Sequence, residues 1–451
     1  MASTYLTRTP SSSGNRKTWT FSAWVKRSDP SGVNMIFQQG SDTANRFGVN
    51  FQGGNLRWRS IAGGSNTAYL ATNRVFRDTS AWYHIVVRFD STNATAGDRM
   101  RLYINGVEET SFSTDINPSL NYESLVNTTN PIDIGRNNTS NDSFFDGEMS
   151  HIHFIDGTAY DASAFGETDA TTGEWKIKTS PSVTYGTNGF FILKDGNSVT
   201  DQSGKGNNFT VGGGTLTKTE DNPSNVFATL NPLDGYWSGY TYAQGNTAVA
   251  STSASRTYVT STLGMTSGKY YWECLLDATI GDSGGASTSV YVGITGQSPI
   301  SGSQFPSDGT CFNCVMNTNG QVYSNGSTIG SAMGSAWATS TFVMMAYDAD
   351  NNKMYFGKDG TWLNSGDPTS GATGTGAFTP TTAASATPIG VYMPQWGVDF
   401  NASYGTSFNF GNGYFGTTAV ASAGINLSGN GIFEYDVPTG YTALSTKGLN
   451  L

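Results

Sequence analysis

Short runs that alternate apolar and polar residues, each closed by Gly, Asn or Asp, recur along almost the whole chain. No stretch of a dozen residues keeps a 3.6-residue period with caps. A two-residue period turns successive side chains to opposite faces, so it specifies half-buried strands and argues against amphipathic helices. In WTFSAWVKRS (19–28), Trp19, Phe21 and Ala23 face one way and Thr20, Ser22 and Trp24 the other. RFGVNFQGGNLRWRS (46–60) reads as a hairpin closed at Gly53-Gly54. RMRLYINGVEETSF (99–112) reads as one closed at Asn105-Gly106, the pair that best fits a two-residue turn. AWYHIVVRFD (81–90), PIDIGRN (131–137) and GEMSHIHFIDG (147–157) add further strands. The expected class is all-β.

Composition agrees. Aromatics reach 13% and charged residues only 13%, a profile opposite to that of disordered chains. A length of 451 residues suits two or three domains. The net charge is −10, and no Lys/Arg run exists to displace counterions, so nucleic acid is not an expected partner. The N-terminus MASTYLTRTPSSSGNRKTWT has no apolar core of the signal-peptide kind. No segment approaches the roughly 18 unbroken apolar residues of a membrane span. The expectation is a protein made in a cytoplasm, without membrane insertion. Three cysteines, Cys274, Cys311 and Cys314, are too few for a disulfide scaffold. CFNC (311–314) lacks the second pair or nearby histidines that zinc needs.

Within residues 1–160, TWTFSAWVKRS, AWYHIVVRFD, RLYINGVEE, PIDIGR and FFDGEMSHIHFIDGTAY follow in an order that resembles laminin-G/concanavalin-A-like lectin domains. That resemblance implies a jelly-roll β-sandwich. It says less about function, because the fold serves sugar binding, protein binding and hydrolysis alike. Residues 161–235 are rich in Gly, Asn, Asp, Thr and Pro, with one good strand, GFFILKDG (189–196). Trp175, Phe190, Ile192, Phe209 and Phe227 should not stay exposed, so this reads as a packed connector. Its FGETD…TGEW and DQSGKGNNFT…FATLNPLD resemble connectors of virion proteins of tailed bacteriophages, marine ones especially. Residues 236–416 carry YYWE, VYVGIT, AYDADNNKMYFGKDGTWL and FNFGNGYF, which resemble a SPRY domain, a second concanavalin-like sandwich. PIGVYMP (388–394) is expected to be one of its strands, and 417–451 to form a last strand and a tail. The fold expected is therefore two concanavalin-A-like jelly-roll sandwiches joined by a packed Gly/Asn-rich connector.

Asp348, Asp350 and Asn352 look like the start of a calcium loop, but its sixth position is Lys353 and its twelfth Asp359, where Gly and Glu belong. The stretch reads as a turn at 349–352 between two strands. His151 and His153, two apart on a strand, share a face and lack a third ligand. Asp42, Asn45, Asp142 and Asp146 lie in loops of the kind that related folds use for calcium, which is the one ion left open; no cofactor is otherwise expected.

Sandwich-fold glucanases carry E-x-D-x-x-E on one strand, which places three carboxylates in one cleft, and no such run occurs. Glu108 and Glu109 are adjacent and face opposite ways. No G-x-S-x-G elbow precedes a helix, and no phosphate loop is present. The expectation is no enzyme. Sugars stack on exposed rings, and Trp58, Trp362 and Trp396 each lie beside turns rich in Gly, Asn or Asp. They are the carbohydrate-binding candidates, with core or rim packing as the alternative role.

The phage resemblance implies a structural protein of the virion, assembled in a bacterial cytoplasm. Its expected role is host-surface attachment, as a tail-fibre or capsid appendage that holds cell-surface glycans. Its partners would be other virion proteins and a host glycan, in many copies or as a homo-oligomer. Two alternatives stand beside this: a capsid or tail decoration that binds only virion proteins, and a polysaccharide-degrading enzyme.

Overall fold

Alternation decides which residues go inside. In the computed structural model the strand Asn45–Gln52 turns Phe47, Val49 and Phe51 into the core, each at most 1% exposed, and Arg46, Asn50 and Gln52 to the opposite face. The structure describes residues 3–194, 196, 198–236, 239–251, 257–277, 290–297, 312–330, 337–398 and 405–450. Among them the elements are strands and short 3-10 turns. No helix there is long and apolar enough to cross a membrane.

The chain divides into two units, 1–218 with 222–224, and 219–221 with 225–451. The first is a sandwich of two sheets. One has eight strands in the order Phe112–Ile116, Ser65–Val75, Asn55–Ala62, Asn45–Gln52, Val33–Asp42, Ile132–Ile134, Tyr5–Arg8 and Thr210–Gly213. The other has six: Phe190–Ile192, Gly147–Asp156, Thr18–Arg27, Trp82–Asp90, Met100–Ile104 and Val107–Glu109. Between them Trp19 stacks on Phe89 at 5.0 Å and meets Phe47 edge-on at 5.2 Å. Each large side chain buried this way contributes roughly 1.5–3 kcal/mol.

The segment 161–218 is part of this first sandwich. Phe190–Ile192 pairs with Gly147–Asp156, and Thr210–Gly213 pairs with Tyr5–Arg8. Phe190, Ile192 and Phe209 are buried in its core, whereas Phe227 is buried in the second unit. Residues 158–193 also cover the outer face of the six-stranded sheet, where Val86, Tyr103, Ile155, Phe165, Tyr185 and Phe191 form a second apolar cluster. Trp175 is the clasp. Its Nε1 donates to His84 Nδ1 at 3.0 Å, and its ring passes between Gly106 and Gly166, where an added Cβ would come within about 2.5 Å of it. Gly106 also holds φ 80 after Asn105 at φ 48, as the tight hairpin turn demands.

The second unit is again two sheets. One runs Leu230–Tyr236, Thr257–Ser261, Met393–Val398, Val290–Thr295, Asn313–Asn317, Val322–Ser324 and Ser327–Gly330. The other runs Tyr240–Ala243, Ala248–Ser251, Gly405–Asn409, Lys269–Asp277, Phe342–Asp348, Lys353–Lys358 and Thr361–Trp362, with Thr442–Ala443 added parallel to Lys269–Asp277. Trp272, Met345, Tyr392, Trp396 and Phe408 lie in the core between them. The strand expected over 388–394 begins instead at Met393, because Gly390 (φ 73) closes a turn onto Thr387.

Glu273 is the one fully buried carboxylate among the charged residues of Lys269–Asp277. It accepts from Tyr271 Oη (2.7 Å), Tyr435 N (2.9 Å), Glu434 N (2.9 Å) and Asn409 Nδ2 (3.4 Å), pinning the 434–435 backbone to the sheet. Glu273→Ala would strand buried donors and leave a cavity, so it should lower the second unit's stability by about 3 kcal/mol in a denaturant titration. Burial pushes the Glu273 pKa up to about 7. The folded state then holds a proton that the unfolded state loses near pH 4.5, so this group favours folding less as pH rises from 4.5 through 7.

Candidate functional site

A cleft of about 280 Å³ opens on the outer face of the first unit's eight-stranded sheet. Register builds it. Gly48 pairs with Arg59 on one side and with Gln38 on the other, and one step along, Asn50 pairs with Arg57 and with Met35. Gly48 has no side chain, so the row Arg59–Gly48–Gln38 dips in the middle and Gly48 forms the floor. Arg46, on the same strand and face, stands beside it, and residues 137–143 form the rim. The lining is polar: guanidinium groups, amides and hydroxyls over a rigid apolar sandwich.

The cleft's carboxylate, Asp142, is engaged at one oxygen, Oδ1. It accepts from Asn137 Nδ2 at 2.9 Å and from Ser143 Oγ at 2.8 Å. Arg46 donates to Thr139 Oγ1 at 3.2 Å, Arg57 to Gln52 Oε1, and Arg59 lies over the Tyr69 ring at 5.7 Å. Burial, then the neighbouring Arg46 and Arg57, lower the pKa of Arg59, with Tyr69 opposing.

Two of the three tryptophan candidates are corrected by burial. Trp58 is 1% exposed and Trp396 0%, so neither offers a ring face to a sugar. Trp58 points into the core between Arg57 and Arg59, which alternate to the outside. Trp396 packs inward with Nε1 donating to Thr406 Oγ1 at 2.8 Å. Trp362 is half-buried, edge-on to Tyr271 and Tyr355 at the border of the second unit.

The calcium candidates hold local structure. Asp42 accepts from Ser41 Oγ, Asn45 Nδ2 and the amides of Ala44 and Asn45, bonds that hold its pKa down. Asp146 is half-buried, and burial and Asp29 raise its pKa. Asp348 pairs with Lys269 at 3.1 Å and accepts from Asn351, while Asp350 accepts from Gly268 N, so the stretch is turn chemistry. Among the described residues no three His, Cys, Asp or Glu side chains gather as a metal site. Cys311 lies outside the described residues; Cys314 is buried, and burial raises its pKa.

The histidines belong to the covered face. A bulge at His151 (φ 47) breaks the register between Ser150 and His153, yet both imidazoles lie against Phe191. His84 accepts from Trp175 at Nδ1 and therefore donates Nε2–H to Ser22 Oγ at 2.9 Å, a neutral tautomer. His153 Nδ1 bonds Tyr185 Oη at 2.9 Å.

Residues 2–163 match the model of the concanavalin A-like lectin/glucanases superfamily, in its third laminin G form. No curated protein matches the chain in sequence. Among solved structures it is similar to the SPRY domain of human HERC1, at 15% identity and TM-score 0.29, over 40% of this chain and 96% of that one. It is similar also to a native heptameric SAP-like pentraxin from Limulus polyphemus, at 17% identity and TM-score 0.26, over 35% and 71%. A third likeness is to domains LG4-5 of the mouse laminin alpha1 chain, at 8% identity and TM-score 0.29, over 89% and 85%. The described residues are all-β and built of β-sandwich sheets, and the concanavalin A-like, laminin G match lies within the first of the two units.

Proposed function

We propose that the first unit is a non-enzymatic carbohydrate-binding module, carried by a structural protein of a tailed phage particle that attaches it to host-surface glycans. The cleft over Gly48 carries the binding reading. It is a polar, open depression on the free face of a rigid sheet, in the part of the chain that matches a lectin family model. Amide and hydroxyl groups from Asn50 and the 137–143 rim supply the hydrogen bonds that sugar hydroxyls need. Its lining holds one carboxylate, Asp142, and glycoside hydrolysis canonically needs two carboxyl groups flanking the bond. The phage setting rests on the sequence resemblance of FGETD…TGEW and DQSGKGNNFT…FATLNPLD. A cleft this small implies weak single-site affinity, with avidity from many copies on one particle.

Gly48→Leu fills the floor. A Cβ there meets the flexible Met35 side chain at 3.3 Å and Phe37 O at an ordinary 3.8 Å, and the backbone needs no positive φ. Binding of purified protein to host envelope glycans should fall at least tenfold in this variant, with the melting temperature within a few degrees of wild type. Wild-type protein that binds no envelope glycan would sink the proposal. Release of reducing sugar from host capsule would replace it with the hydrolase reading. Imaging of the particle by cryo-electron microscopy tests the virion setting.

A further inference from the structure

Taking the cleft over Gly48 as a saccharide site, we infer that its ligand is an anionic glycan, held through Arg46, Arg57 and Arg59 by a carboxylate, sulfate or phosphate group. The inference rests on the reading above and narrows it to a substrate class.

Three guanidinium groups share one face of two adjacent strands in a chain whose net charge is −10. Several other arginines of the same unit form ion pairs: Arg74 with Glu109, Arg88 with Asp161, Arg101 with Asp98 and Glu108, and Arg136 with Asp133, while Arg27 and Arg99 are buried on backbone carbonyls. Among the described residues Arg46, Arg57 and Arg59 have no such partner. Their contacts are an amide, a hydroxyl and a phenol ring. The lining's Asp142 accepts from Asn137 and Ser143 at Oδ1, and counted as charged it leaves the cleft a surplus of two positive charges (three arginines against one aspartate).

The surplus is strained rather than idle. Arg59 is partly desolvated, and Arg46 and Arg57 both act to disfavour its charge. An anion in the cleft relieves that repulsion. The Nε of Arg57 is out of solvent and has no hydrogen-bond partner. A guanidinium with spare donors in a fixed fork matches the paired oxygens of carboxylate, sulfate or phosphate, and such bonds are about twice as strong as neutral ones. Asn50 and Ser140 beside the arginines can take sugar hydroxyls, which ties the anion to a saccharide rather than to a bare ion.

The test uses the full chain on an array of matched polysaccharides: neutral glucans and galactans, polyuronates, sulfated galactans and phosphate-bearing teichoic-type polymers. Each is measured at 50 and 300 mM NaCl, with Arg57→Gln/Arg59→Gln, Arg46→Gln and Gly48→Leu alongside. The expected result is binding confined to anionic arms and weakened at least fivefold by the higher salt. The double variant should lose at least thirtyfold, and Arg46→Gln several-fold, with the melting temperature within a few degrees of wild type, since these side chains lie on the sheet's outer face and not in the core. Which anionic arm binds identifies the charged group. Neutral glycans bound as tightly as acidic ones, lost in Gly48→Leu but kept in the arginine variants, would overturn the anionic assignment and leave the lectin reading standing. No binding on any arm would overturn both.

Discussion

Trp58→Ala should destabilise the first unit by about 3–5 kcal/mol, the range for removing a large ring from a core that cannot fully collapse. Trp58 meets Trp19, Phe47 and Phe89 edge-on at 6.0 to 6.3 Å and is 1% exposed. Its Nε1 has no hydrogen-bond partner, so Trp58→Phe gives up ring volume but no polar contact and should cost less than half as much. The pair separates packing from recognition. If the ring stacked on a sugar, Trp58→Ala would abolish glycan binding at unchanged stability. A denaturant titration that shows less than about 1 kcal/mol of loss would contradict the core placement.

The first unit should also weaken steeply in acid. His84 is fully buried between Ser22 and Trp175, and burial lowers its pKa from 6.5 to about 3, with His151 adding to the effect. His153, 2% exposed against Phe191, is lowered well below its ordinary value for the same reason. Both are bases with depressed folded pKa values, so between pH 6.5 and 3 the unfolded chain takes up protons that the folded chain refuses. Their stabilising effect is complete above about pH 6.5 and is lost as pH falls toward 3. For His84 alone the linkage is on the order of 4 kcal/mol, a large part of a domain's usual 5–15 kcal/mol. Glu273 works in the opposite direction in the second unit, favouring folding more below pH 7. Hydrogen exchange followed by mass spectrometry should therefore show the amides of Trp82–Asp90 losing protection between pH 7 and pH 4, once intrinsic exchange rates are corrected. Equal protection at the two pH values, or the same pH dependence in His84→Gln, would refute the histidine assignment.

Much of the fold could be read from alternation. The strand limits around WTFSAWVKRS, AWYHIVVRFD and KMYFGK follow from residue order, because packing acts on one face at a time. The cleft was legible by the same rule. In NLRWRSIA a two-residue period that sends Trp58 inward must send Arg57 and Arg59 outward, so the candidate lay on either side of the tryptophan that composition favoured. The pairing of Gly48 with Arg59 follows from the Gly53-Gly54 hairpin between their strands. Other features depend on residues far apart. Nothing near His84 announces that Trp175, 91 positions away, will cover it. The residues 161–235 read as a packed connector by composition, yet 161–218 supply two strands of the first sandwich because Phe190, Ile192 and Phe209 have a sheet to complete. Aspartates in turns resemble calcium ligands in sequence, and only their hydrogen bonds show that backbone amides already occupy Asp42 and Asp348.

The most direct test is a structure of the full chain bound to the saccharide that binds best on the array. The predicted density lies over Gly48, between Arg59 and Gln38, with the sugar's acidic group against the arginines. Density over Trp362, or anywhere else with the Gly48 cleft vacant, would contradict the account.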